Sequence, residues 1–191
     1  WKTLKTKNKK GPPIKKSVSL LKHGKNVVPA RFLPRFQTLV RNVSVLEKSA
    51  SGHGIFSLAS EPDGTVRRVP TLFVYEKGLY PSLSIEILRV AFNRKSILVK
   101  ANRAGITFLG IHKNLQLPTD SRGRVWPYFS KSDKSKYVSA KDVLNGTVDP
   151  SLIKGKLTIV GTSAVGLFDF RTVPTDPAMP GVEVHVQLIE A

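Results

Sequence analysis

The chain has 191 residues, room for one domain of ordinary size. It carries 31 lysines and arginines against 13 acids, a formal net charge of +18, and no cysteine. These values exclude a disulfide framework and a thiolate metal site, and no apolar run approaches the ~20 residues of a membrane-spanning helix. The charge is uneven. Up to Leu46 the chain is basic without a single acid, whereas from Glu47 onward both signs are mixed. The excess therefore belongs to an arm or edge and not to a uniformly basic fold. The first residue is Trp1, the only methionine is Met179, and the final residues fall in mid-helix, so both ends read as cut from something longer.

Residues 1–16 are lysine-rich, contain Gly11-Pro12-Pro13 and show no period, which predicts a basic flexible arm ahead of a folded part at 17–191. Residues 17–24 read as the last turns of a helix closed by Gly24, and 26–30 as a short strand. Pro29 and Pro34 make 30–41 an irregular connection. A strand is expected at 54–58, followed by a Pro62-Asp63-Gly64 turn whose glycine accepts a positive φ. Residues 66–75 are rich in β-branched and aromatic side chains and predict a strand, which Lys77-Gly78 turns. The clearest helix spans 81–93, with Ser82 as cap and an apolar stripe of Leu83, Ile87, Val90 and Ala91. Glu86 and Arg89 stand one turn apart on it.

Strands follow at 97–99 and 106–111, paired around Asn102-Arg103-Ala104-Gly105, then at 115–118 and, after a turn at 120–123, at 125–129. Ser139 is placed to cap a short helix over 140–144 that ends at Asn145-Gly146. Leu157-Thr158-Ile159-Val160 reads as a fully buried strand. Pro180-Gly181 opens a final helix. Strands interleaved with helices predict the α/β class (mixed α+β): a mixed β-sheet flanked by helices in a single domain.

Small residues follow the 157–160 segment as Gly161-Thr162-Ser163-Ala164-Val165-Gly166, where backbone N–H groups can approach an anion. Both the Walker and the GxGxxG spacings are missing, so a tight turn is the preferred reading, with Thr162 and Ser163 kept as candidate ligand contacts. The histidines at 23, 53, 112 and 185 are too dispersed for zinc. No GxSxG elbow or other catalytic set is visible, and no cofactor motif. The expectation is a non-enzyme with no metal and no cofactor. Arg67 and Arg68 beside Asp63 either lock the turn or bind an acidic ligand; locking is preferred, and only one arginine of an extended pair can face inward. Asp169, Arg171, Glu183 and His185 are the candidate polar cluster near the final helix. The lysines of the arm suit phosphates or anionic lipid heads, with a solvated tail the preferred reading.

Several blocks then appear in one order. They are Pro62-Asp63-Gly64-Thr65-Val66-Arg67-Arg68-Val69-Pro70, Tyr80-Pro81-Ser82-Leu83, Pro118-Thr119-Asp120 with Gly123-Arg124, and Ser139-Ala140 with Asp142-Val143-Leu144. The run from Lys154 through Gly161-Thr162-Ser163 to Asp169, Thr172 and Pro174, and then Pro180-Gly181-Val182-Glu183-Val184-His185, completes the set. Together they resemble the second type of CHASE domain, the extracytoplasmic sensors associated with cyclases and histidine kinases. The family's opening strand, with its Trp-Pro-Trp segment, has no counterpart in this chain.

The resemblance implies a sensory domain outside the cytoplasmic membrane, held by transmembrane helices on both sides. Its output would be an adenylate or guanylate cyclase, otherwise a histidine or Ser/Thr kinase. The stimulus would be a small molecule or protein, and a homodimer of the whole protein is compatible with it. A module binding nucleic acid or another anionic polymer is the competing class.

Overall fold

The structure, a computed structural model, describes residues 17–22, 27–162 and 169–191. The basic arm, Gly24, Asn26 and Ser163 lie outside the described residues. The chain divides into two compact units: Trp1–Ser57 with Pro70–Val125, and Leu58–Val69 with Trp126–Ala191.

In the first unit the alternation of residues 97–112 builds the main sheet. Strand β1 (Val18–Lys22) precedes β2 (Arg35–Phe36), helix α1 (Ser44–Ser49) and β3 (Val69–Pro70), where the chain re-enters this unit. Then come β4 (Leu72–Tyr75), β5 (Gly78–Pro81), α2 (Leu83–Ala91), β6 (Ile97–Asn102), β7 (Gly105–His112), β8 (Leu115–Pro118) and β9 (Arg124–Val125). One sheet has the order β1-β6-β7-β8, with β1 parallel to β6 and the remaining pairs antiparallel. A second has the order β2-β4-β5, and β3 pairs with β9.

Ile97, Val99 and Ala101 alternate into the core from β6. On β7 the partners Ile106, Leu109 and Ile111 would not share a face in a regular strand. The register of β6 against β7 slips between Lys100 and Ala101, which leaves Thr107 without an opposite residue and turns all three inward. Thr107 Oγ1 donates back to the Lys100 carbonyl at 3.1 Å, closing the bulge.

Residues 17–22 do not form the expected last turns of a helix. Residues 18–22 are a strand because β6 offers them a parallel edge, with Val18 opposite Ile97. Residues 27–28 carry no strand, and Pro29–Arg31 make one 3-10 turn that starts on the fixed φ of Pro29. Within 30–41, Arg35–Phe36 pair with β4. Only Ile55 of 54–58 makes a bridge, to Ser82. The 66–75 strand is broken at Thr71, and the hairpin turns at Glu76-Lys77, with Glu76 at φ 51°. After β8, extended pairing stops at Val125 instead of running to 129.

Helix α2 forms where expected, yet its buried face is Ser84, Ile85, Glu86 and Arg89, while Val90 is exposed. Ser82 stands at the N-cap with no cap hydrogen bond from its side chain, and its hydroxyl is buried without a partner among the described residues. The helix is rolled toward an ion pair. Arg89 Nη2 lies 2.7 Å from Glu86 Oε1, Arg89 Nε donates to Glu86 Oε2 at 2.9 Å, and Ser17 Oγ donates to the same carboxylate at 3.0 Å. Arg89 also reaches the carbonyls of Ser51 and Arg94. Gly52 is required beside this pair, since a Cβ there would come 2.0 Å from Glu86 Oε1.

The second unit contains helix α3 (Ala140–Leu144), the hairpin of β10 (Phe170–Val173) and β11 (Asp176–Pro180), and helix α4 (Gly181–Glu190). Val66 donates its backbone N–H to the Thr172 carbonyl at 2.8 Å, which ties the Pro62-Asp63-Gly64 segment to β10. Gly64 has the positive φ the turn requires, 82°. Residues 157–160 are not a buried strand. Leu157 and Val160 are exposed, and no strand among the described residues pairs with them. Apolar character alone cannot bury a segment without a neighbouring edge. The fold is nevertheless of the expected α/β class, with mixed sheets and helices.

Candidate functional site

Helix α4 begins where an extended segment gives way to Val182-Glu183-Val184-His185-Val186-Gln187, in which apolar and polar residues alternate. Pro180, at φ −55°, is preset for the helix start. The Gly181 N–H donates to the Asp169 carbonyl at 2.7 Å. A Cβ on Gly181 would lie 2.5 Å from Asp169 Oδ1, so the glycine admits this carboxylate to the first turn, where the positive helix end favours it. Asp169 pairs with Arg171 at 3.3 Å, and both are about one-third exposed. Arg171 Nη1 donates to the Phe170 carbonyl, while its buried Nε has no partner among the described residues. Gly161 gives the other close approach to this helix start, because a Cβ there would meet Val182 Cβ at 2.6 Å.

One turn further, Glu183 is buried and holds three donors. Ser132 Oγ donates at 2.7 Å, the Tyr137 hydroxyl donates to the same Oε2, and Gln187 Nε2 donates to Oε1 at 3.3 Å. Gln187 also clamps the backbone of Ser130, accepting its N–H at 2.8 Å and donating to its carbonyl at 3.2 Å. Lys136 Nζ meets both carboxylate oxygens of Glu190, at 2.8 and 3.0 Å. Glu183, Gln187 and Glu190 follow one another at i, i+4 and i+7, so a single face of α4 carries a polar seam to the 130–137 loop. Val184, His185 and Leu188 of α4 are buried as well.

Burial, together with the Glu183 carboxylate, pushes the Tyr137 hydroxyl from its ordinary 10.0 up to about 12. Because the folded value is the higher one, the contribution of Tyr137 is fully present below pH 10 and fades as pH rises towards about 12. The urea midpoint of the native chain should therefore exceed that of Tyr137→Phe below pH 10, with the gap closing above it. A gap that stays constant to pH 12 would show that the phenol is not linked to folding.

Arg67 and Arg68 do not share Asp63. Arg67 forks onto Asp63 at 3.0 and 2.7 Å, and Arg68 forks onto Glu61 at 2.6 and 2.7 Å. The first pair is about half exposed; the second is deeper, and its guanidinium lies 5.7 Å over the Trp126 ring. Asp63 also accepts the Thr65 N–H at 3.0 Å. The Arg67 guanidinium and that N–H hold its carboxyl at about 2. These residues line an open groove of about 440 Å³. The turn is locked, as expected, though with Glu61 as a second carboxylate.

The structure thus joins Asp169 to Arg171 and fastens Glu183 to Ser132 and Tyr137 of the loop and to Gln187 of its own helix; among the described residues no bond joins it to Asp169 or Arg171. Thr162 is exposed. Ser130, Ser132, Tyr137 and Gln187 are absent from the sequence-based candidates. The available signal was the spacing of Glu183, Gln187 and Glu190 at i, i+4 and i+7 along the final helix.

The family model of the CHASE2 domain matches residues 7–191. The chain belongs to the CHASE2 family. No curated protein and no solved structure matches it. CHASE2 domains are extracytoplasmic sensory domains of signalling proteins and are not themselves catalytic. In this CHASE2 domain the Pro-Asp-Gly-x-x-Arg-Arg block forms the ion-paired turn, and the Tyr-Pro-Ser-Leu block joins β5 to α2. The Pro180-Gly181 block starts α4. No helix among the described residues is long and apolar enough to cross a membrane.

Proposed function

We propose that this CHASE2 domain is the signal-input part of a membrane-anchored protein whose output is an adenylate or guanylate cyclase, otherwise a histidine or Ser/Thr kinase. The observation that carries the reading is the polar seam between α4 and the 130–137 loop, anchored on buried Glu183. A seam of hydrogen bonds is a two-state element: it is closed, or it is open and hydrated. A stimulus that binds one state better shifts the population and moves the end of α4, and its effect is limited by its differential affinity. Asp169 and Arg171 act at the start of the same helix, holding its first turn.

The chain lacks cysteine, which supplies a direct test of placement. A single cysteine replaces Val160, which is 90% exposed, in the whole protein with any other cysteines removed. A membrane-impermeant thiol reagent is expected to label it in intact cells. Labelling only after lysis would overturn the extracytoplasmic reading and favour polyanion binding. Asp169→Ala is then expected to change cyclic-nucleotide or phosphoryl output of the correctly placed protein.

A further inference from the structure

We propose that the groove between the 61–68 turn and Trp126 binds a small zwitterion, namely a free α-amino acid with an apolar side chain. The groove has a volume of about 440 Å³, within the range of small-molecule sites, and is lined by Glu61, Pro62, Asp63, Arg67, Arg68 and Trp126. Two guanidiniums and two carboxylates make it electrically neutral. Their arrangement decides the class of ligand.

The Arg68–Glu61 fork is the less exposed of the two and lies beneath the indole, so it serves as the fixed floor. The Arg67–Asp63 fork is about half exposed, so the charges of an incoming molecule can reach both of its members from solvent. A simple anion landing on Arg67 would displace Asp63 and leave two negative groups side by side. A simple cation on Asp63 would strand Arg67 in the same way. A molecule carrying both charges avoids either cost, since its carboxylate takes the Arg67 fork and its ammonium takes Asp63. Trp126, 57% exposed, and Pro62 then offer the apolar surface for the side chain. The site deepens the sensory reading by naming a class of stimulus. It is tested on the chain alone, so it can fail while that reading stands.

The experiment is calorimetric titration of the 191-residue chain with leucine and phenylalanine. Alongside run their deaminated acids, their decarboxylated amines, and inorganic phosphate. At least one amino acid is expected to bind tenfold or more tighter than its deaminated and decarboxylated relatives. Trp126→Ala should weaken it at least tenfold while the chain still unfolds in a single cooperative transition. Asp63→Asn should reduce the preference over the deaminated acid. Equal binding by the acid or by phosphate would replace the proposal with an anion site. Absence of binding by both amino acids at millimolar concentration would overturn it, and a normal melting temperature in the same sample would exclude misfolding as the reason.

Discussion

Replacing Glu86 with alanine is expected to lower the unfolding free energy by about 3–5 kcal/mol, the cost of stranding a buried charge. Glu86 and Arg89 are 3% and 8% exposed, and the carboxylate binds the guanidinium through two hydrogen bonds while accepting from Ser17. Removing it leaves Arg89, among the described residues, with the carbonyls of Ser51 and Arg94 as partners. Replacing both members, as in Glu86→Met with Arg89→Met, should cost much less, because no unpaired charge stays behind. Urea denaturation of the three chains measures this. A single-variant loss below about 1 kcal/mol would mean that the freed arginine reaches solvent at little cost, and the pair would not be structural.

The second large effect belongs to the output helix. Glu183→Ala removes the acceptor of Ser132, Tyr137 and Gln187 at once, and is expected to cost about 2–3 kcal/mol while releasing the 130–137 loop. Amide hydrogen exchange should accelerate at Ser130, whose N–H is held by Gln187, and across the adjoining loop. Glu183→Gln keeps one acceptor oxygen but sets an NH₂ among donors, so its loss should be smaller, about 1 kcal/mol. Unchanged exchange over 130–137 in the alanine variant would show that the seam does not hold the loop. In the whole protein, the sensory reading adds a shift in basal output for the same substitution.

Local patterns in the sequence were readable wherever one element could decide its own state. The strands at 97–99, 106–111 and 115–118 were legible from their apolar runs and the turn at Asn102-Gly105, and the final helix from Pro180-Gly181. The Pro62-Asp63-Gly64 turn needed only a glycine at positive φ. The short helix at 140–144 also stands where its flanks place it, ending at Asn145 with Gly146 at φ 69°.

Partners remote in the chain decided the rest. Whether residues 18–22 became helix or strand depended on the free parallel edge of β6. The apolar stripe of α2 gave the wrong buried face, since pairing Glu86 with Arg89 against Ser17 and Gly52 outweighed exposing Val90. Residues 157–160 had the composition of an interior strand and lacked a neighbouring edge among the described residues. The same distinction governs the candidate site. Residue types named Arg67, Arg68, Asp169, Arg171, Glu183 and His185, because charge in an apolar context is visible in one dimension. That Glu61 answers Arg68, and that Ser132 and Tyr137 answer Glu183, was settled only in three dimensions, because a buried carboxylate takes whatever donors the tertiary fold brings within hydrogen-bonding distance.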